Sequence, residues 1–166
     1  FLPLPLADAT RATLLRNTQR AGEPIDSSIA LVMSTSGSTG TPKGAQLTPA
    51  NLVASADATH QVLGGTGQWL LAMPAHHIAG IQVLVRSLVA GVDPLCMDLG
   101  EGFDIPTFAR AAADLDRTGD RTYTALTPLQ LAKAMDSVEG IDALRTFDSI
   151  LVGGAAINPR LRAAAE

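Results

Sequence analysis

The sequence predicts an α/β fold: a predominantly parallel sheet flanked by helices. Three observations carry that expectation. Short apolar runs alternate with longer helix-like segments along the chain, which is the pattern of repeated βαβ units. The runs IALVM (29–33) and ILV (150–152) are continuously apolar, as strands covered on both faces are. Thr48-Pro49, Thr127-Pro128 and Asn158-Pro159 each set a capping side chain before a proline at the first helical position, so three helix starts are marked.

The elements follow in order. Residues 1–27 hold three prolines and a short amphipathic stretch, RATLLRNTQR, and read as a lead-in packed on the domain edge. Residues 28–166 read as one domain without internal repeats. SIALVMS (28–34) is the first strand, followed by the loop STSGSTGTPKG (34–44) and a helix from Thr48 to Leu63. GGTG (64–67) is a turn. QWLLAM (68–73) is a strand, 78–90 a helix, 92–97 a strand and 105–115 a helix. RTYTALT (121–127) is a strand, and Thr127 with Gln130 forms a capping box that opens a helix over 128–136. SILVG (149–153) is the last strand. The chain starts on Phe1 rather than methionine and stops at LRAAAE inside a helical pattern, so it reads as part of a longer protein.

Composition narrows the function classes. The chain has 166 residues, 46% apolar and 17% charged, as a globular domain with a sizeable core requires. A formal charge of −4 with 12 scattered Lys and Arg residues provides no basic stripe for a nucleic-acid backbone. The opening FLPLPLADAT lacks the basic start of a signal peptide and is broken by prolines. No apolar stretch reaches the roughly 20 residues of a membrane span. A lone cysteine, Cys96, excludes an intrachain disulfide and fits a reducing cytoplasm; it reads as a small buried hydrophobe. His60 lies in a helical run and reads as a surface residue, and Trp69 as core or edge packing. Thr118-Gly119-Asp120 reads as a helix-ending turn.

Four stretches are expected to meet. The loop 34–44, PAHHIAG (74–80), LTP (126–128) and GGAAIN (153–158) each follow a strand and precede a helix. In an open parallel sheet such junctions share the carboxyl edge, where ligands bind in the crevice. The glycine-rich loop reads either as a flexible turn or as a phosphate cradle. Gly37, Gly40 and Gly44 let backbone N–H groups turn inward into an anion-binding nest. Ser36, Ser38 and Thr39 add hydroxyls, and Lys43 adds a charge. A Walker loop is excluded, because Lys43 is flanked by Pro42 and Gly44. The adjacent His76 and His77 make a poor metal site, with no Cys, Asp or Glu near them in sequence.

STSGSTGTPKG resembles the signature loop of the adenylate-forming superfamily, T-S-G-[ST]-T-G-x-P-K-G after an aromatic residue. Thr35, Ser36, Gly37, Ser38, Thr39, Gly40, Pro42, Lys43 and Gly44 match, and Ser34 departs from the aromatic. MPAHHIAGI is similar to the family stretch that sets a histidine at the mouth of the acyl pocket, and His77 falls on that position. Its alternative is a loop histidine capping the next helix. ILVGGAAIN resembles the family strand whose Gly153-Gly154-Ala155 backbone lies against acyl substrate and adenine, where small residues allow close approach. A tight strand-to-helix junction is the alternative there.

The resemblance implies the large N-terminal domain of an adenylate-forming enzyme, with 28–166 a partial ATP- and acyl-binding domain and the C-terminal domain with its catalytic lysine absent. It implies ATP, Mg2+ and coenzyme A, with Thr35, Ser36, Gly37, Ser38, Thr39, Gly40 and Lys43 on the phosphates. Gly153, Gly154 and Ala155 then shape the floor, and His77 orients the carboxylate or gates the pocket. No acidic Mg2+ ligand is identifiable in the sequence. The softer motifs PAHHIAGIQVLVRSLVAG, TALTPLQLAKAM and LVGGAAI are similar to the o-succinylbenzoate–CoA ligase branch of menaquinone synthesis. Other acyl- or aryl-CoA ligases, amino-acid adenylation domains and a non-catalytic nucleotide-binding module stay open. A homodimer is compatible, and the piece alone is expected to be inactive.

Overall fold

The computed structural model describes residues 1–35 and 42–165. Its centre is a four-stranded parallel sheet of order β4-β3-β5-β6, formed by β3 (Gln68–Leu71), β4 (Leu95–Cys96), β5 (Thr122–Leu126) and β6 (Ser149–Val152). The chain reaches β4 through α3 (Ile78–Ala90), returns past β3 to β5 through α4 (Ile105–Asp116), and goes on to β6 through α5 (Pro128–Met135) and α6 (Val138–Arg145).

Side-chain alternation divides the core into two layers. Trp69, Leu71, Met73, Tyr123 and Ala125 pack with Val83 of α3. Leu70, Ala72 and Leu126 pack on the other face with Phe108, Ala112 and Leu115 of α4, Ala134 of α5 and Ala143 of α6. The period of two along each strand produces this split. The helix that carries the chain one way thus lies on one face, and those that carry it the other way lie opposite. That is what right-handed crossovers require.

One expectation is corrected. The first strand, β1 (Leu31–Thr35), does not join the parallel sheet; it pairs antiparallel with β2 (Lys43–Leu47) in a two-stranded sheet, Thr35 opposite Lys43 and Leu31 opposite Leu47. The loop is therefore a hairpin connection rather than a strand-to-helix junction. β2 carries little pattern, since Lys43 to Gln46 are exposed and only Leu47 packs inward. Leu31 and Met33 bury their side chains against Ile81 of α3, which seats the hairpin on the helical layer. The expected strand over 92–97 shortens to the two residues of β4. α6 carries no expectation from the sequence; Ser137 caps it by accepting from the Gly140 N–H at 3.0 Å.

The capped starts hold. Thr48 Oγ1 accepts from the Asn51 N–H at 3.2 Å to open α2 (Pro49–Leu63), and Thr127 Oγ1 accepts from the Gln130 N–H at 3.2 Å to open α5. Asn158 Oδ1 accepts from the Arg160 N–H at 2.8 Å at the start of α7 (Pro159–Ala165). Ahead of the hairpin, α1 (Ala9–Thr18) buries Ala12 and Leu15. Gly64 closes α2 in the left-handed region at φ 83°. Gly119 turns at φ 74° behind α4, where Thr118-Gly119-Asp120 forms the expected turn at the amino end of β5.

Two side-chain expectations are also corrected. Cys96 is exposed, because Leu95 and Met97 take the core-facing positions of the edge strand and alternation turns Cys96 away. His60 is buried at 6% exposure, on the inner face of α2 one turn beyond Ala56. Burial and the nearby Arg86 of α3 hold its pKa below the usual imidazole value, opposed by Asp57 on its own helix. The unfolded chain therefore binds this proton first as pH falls. Stability from the neutral imidazole is fully present above about pH 6.5 and lost below it. His60→Leu should reduce the difference in unfolding free energy between pH 7.5 and pH 5.5, read by denaturant titration; an unchanged difference would rule His60 out as its source.

Candidate functional site

Connections leaving the carboxyl ends of β3 and β5 diverge, one toward β4 and the other toward β6. Where strand order reverses in this way, a crevice opens between the two ends. PAHHIAG follows β3 there, LTP follows β5, and GGAAIN follows β6 one strand further on. At about 4.8 Å between neighbouring strands, the ends of β3 and β6 lie on the order of 10 Å apart. Gln130 Nε2 donates to the Ala72 carbonyl at 2.8 Å and ties the β5 corner to the β3 exit. The Gly153 N–H donates to the Leu126 carbonyl at 3.1 Å and does the same for β6 and β5.

His77 stands at the N-cap position of α3 yet makes no side-chain capping hydrogen bond. Its ring lies against that of His76, centroids 4.3 Å apart. Burial, followed by the like charge of His77, lowers the His76 pKa, so His76 favours the neutral form. Both histidines line a cleft of about 450 Å³ with Ser34 of β1, Pro74, Leu99 and the lead-in residues Asp8 and Arg11. The hairpin thus opens beside the histidine loop although it belongs to another sheet. Ser34 Oγ is buried in that wall without a hydrogen-bond partner among the described residues, an orphan polar atom of the kind a bound polar group satisfies.

Thr35 ends β1 and Lys43 begins β2, directly opposite one another. Thr35 Oγ1 donates to the Lys43 carbonyl at 3.2 Å, and the Lys43 side chain is exposed. Ser36, Gly37, Ser38, Thr39 and Gly40 lie outside the described residues. Gly153, Gly154 and Ala155 are exposed at the end of β6. Gly154 needs glycine for its φ of 83°, whereas a Cβ on Gly153 would meet no atom of the described residues within 4 Å. Packing among the described residues therefore sets no requirement for glycine at 153. Among the described residues no group of three His, Cys, Asp or Glu side chains could hold a metal ion.

Sequence reasoning missed Ser34 Oγ, Arg11 and the Gln130 bridge. Ser34 stood out only as a departure from an aromatic position, and Gln130 was visible as a capping residue but not as a link between strands. Arg11 carried no local signal.

A family model described as AMP-binding enzyme matches residues 4–166. The chain belongs to the AMP-binding enzyme family. Its resemblance to a probable 2-succinylbenzoate–CoA ligase of Mycobacterium tuberculosis runs over 165 residues at 47% identity, 98% of this chain and 42% of that protein. Its fold is similar to that of o-succinylbenzoate coenzyme A synthetase from Bacillus subtilis in complex with the acyl-adenylate intermediate. There the TM-score is 0.68 and the identity 26%, with 85% of this chain and 28% of that one covered. The same Bacillus subtilis enzyme with ATP and magnesium ion matches at TM-score 0.63 and 26% identity, covering 83% of this chain and 27% of that one. The chain thus spans about two fifths of the curated relative's length. Within the AMP-binding family the expected α/β architecture stands, and no helix among the described residues is long and apolar enough to cross a membrane.

Proposed function

We propose that this chain supplies the phosphate loop and part of the acyl cleft of an AMP-forming acid–thiol ligase, with 2-succinylbenzoate as the acid. The observation that carries the reading is the shared cleft of Ser34, at the mouth of the loop, and the His76–His77 pair at the exit of β3. The 47% identity to a probable 2-succinylbenzoate–CoA ligase supports the choice of acid.

In this reading a carboxylate oxygen of the acid attacks the α-phosphorus of ATP and the bond to pyrophosphate breaks. Next, the sulfur of coenzyme A attacks the acyl carbonyl, and AMP departs with the electron pair. Such chemistry needs positioning and charge stabilisation more than covalent help from the protein. Residues 36–40 and Lys43 hold the β- and γ-phosphates, Thr35 braces the loop, His77 orients the acid, and Gly153, Gly154 and Ala155 form the floor. Magnesium would shield the phosphates, but among the described residues no carboxylate cluster suits it. A reducing cytoplasm is the compartment that fits the pathway.

ATP–pyrophosphate exchange by the full-length protein across a panel of acids tests this. We expect 2-succinylbenzoate to stimulate exchange. Stimulation by another acid with none by 2-succinylbenzoate would refute the choice of substrate, and no exchange with any acid would refute the ligase.

A further inference from the structure

We propose that Gln19, at the end of α1, is a positioning residue for Lys43, so that the helix ahead of the hairpin sets the direction of the loop's cation. The inference rests on the phosphate-binding reading of the loop. It starts from the two peptide planes that flank the Lys43 Cα. Gln19 Nε2 donates to the Pro42 carbonyl at 2.9 Å across 23 residues of sequence, and this fixes the plane before Lys43. Thr35 Oγ1 donates to the Lys43 carbonyl at 3.2 Å, and this fixes the plane after it. Pro42 is buried and its ring restricts φ.

Gly44 completes the clamp. A Cβ at residue 44 would overlap Gln19 Oε1 and come within 2.9 Å of Val32 Cγ1. A side chain at 44 would thus force the Gln19 amide to shift, while the backbone of Gly44 itself is not left-handed. Gln19 is itself anchored, since its N–H donates to the Leu15 carbonyl at 2.9 Å and Leu15 is buried at 4% exposure. Lys43 is held at its root by these contacts, and its side chain is exposed. A tilt of about 10° at Cα would carry an ammonium roughly 6 Å away by about 1 Å, a displacement large enough to matter for a phosphate contact.

Nothing local in the sequence marks Gln19. Its partners lie 23 and 25 positions along the chain. The lead-in helix thereby becomes part of the nucleotide site's support.

The test uses the full-length protein with Gln19→Glu, Lys43→Ala and the double variant, each read by KM for ATP, KM for the acid and thermal midpoint. Gln19→Glu keeps the size of the side chain and replaces the donor with a carboxylate that repels the Pro42 carbonyl. We expect KM for ATP to rise about fivefold, the effect of one lost hydrogen bond, with KM for the acid unchanged. In the Lys43→Ala background the same change should have no further effect on ATP use. An unaltered KM for ATP in Gln19→Glu, beside a clear effect of Lys43→Ala, would overturn the role of Gln19 and leave the loop reading intact. Equal effects in both backgrounds, or a fallen thermal midpoint with all kinetic constants shifted together, would mark a merely structural residue and overturn it too. If Lys43→Ala leaves ATP use untouched, the loop reading fails and this inference with it.

Discussion

Lys43→Ala in the full-length protein is expected to lower kcat/KM for ATP by about 10²-fold, near 2.7 kcal/mol of transition-state stabilisation. A hydrogen bond to a charged group contributes roughly 1.5–3 kcal/mol, and in the proposed function the lysine adds a full charge where pyrophosphate leaves. Stability should barely change. Lys43 is exposed at the start of β2, and its side chain makes no ion pair among the described residues; substitutions at such sites stay within about 0.5 kcal/mol. Steady-state kinetics with a thermal melt separates the two. A lowered midpoint with intact kinetics would show that Lys43 supports the hairpin rather than the nucleotide.

Gly80→Val should act on both stability and the cleft. Gly80 is in the first turn of α3, three residues past His77, and packs on the backbone of the histidine loop. A Cβ there would stand 2.5 Å from the Pro74 carbonyl oxygen and 2.9 Å from the Ala75 Cα. Both neighbours are backbone, so relief requires the helix and the loop to part. Overpacking of this kind costs about 1–3 kcal/mol, and the branched side chain leaves few rotamers for escape. The displaced segment carries His76 and His77, so KM for the acid should rise several-fold while KM for ATP changes less. A denaturation midpoint and kinetics equal to the parent's would show that the loop can yield.

What the sequence revealed depended on how local the physics was. Caps declare themselves within four residues, so Thr48, Thr127 and Asn158 marked three helix starts. SILV was legible as a strand from its apolar run, but β6 is the edge of the sheet, half-buried with Val152 exposed, and is not covered on both faces as the run suggested. The pairing of β1 was different: Lys43 to Gln46 bury nothing, so β2 left no hydrophobic trace, and its identity comes from the ladder it makes with β1. His60 was misread because Arg86 arrives from 26 positions away on α3. At the site, the expected meeting of the loop with the histidine stretch rested on both following strands of one sheet. The structure brings Ser34 and His77 to one cleft by another route, the packing of Leu31 and Met33 on α3. Gln19 lay outside any motif, since its role arises only when α1 folds back on Pro42.

The most direct measurement is a crystal structure of the full-length protein with ATP and the acid bound. The account predicts the β- and γ-phosphates against residues 36–40 and the Lys43 ammonium, and the acid's carboxylate between His77 and the Gly153–Ala155 backbone. Phosphates bound beside Thr118-Gly119-Asp120 at the amino edge, or in the groove between β6 and α7, with Lys43 pointing to solvent, would contradict it.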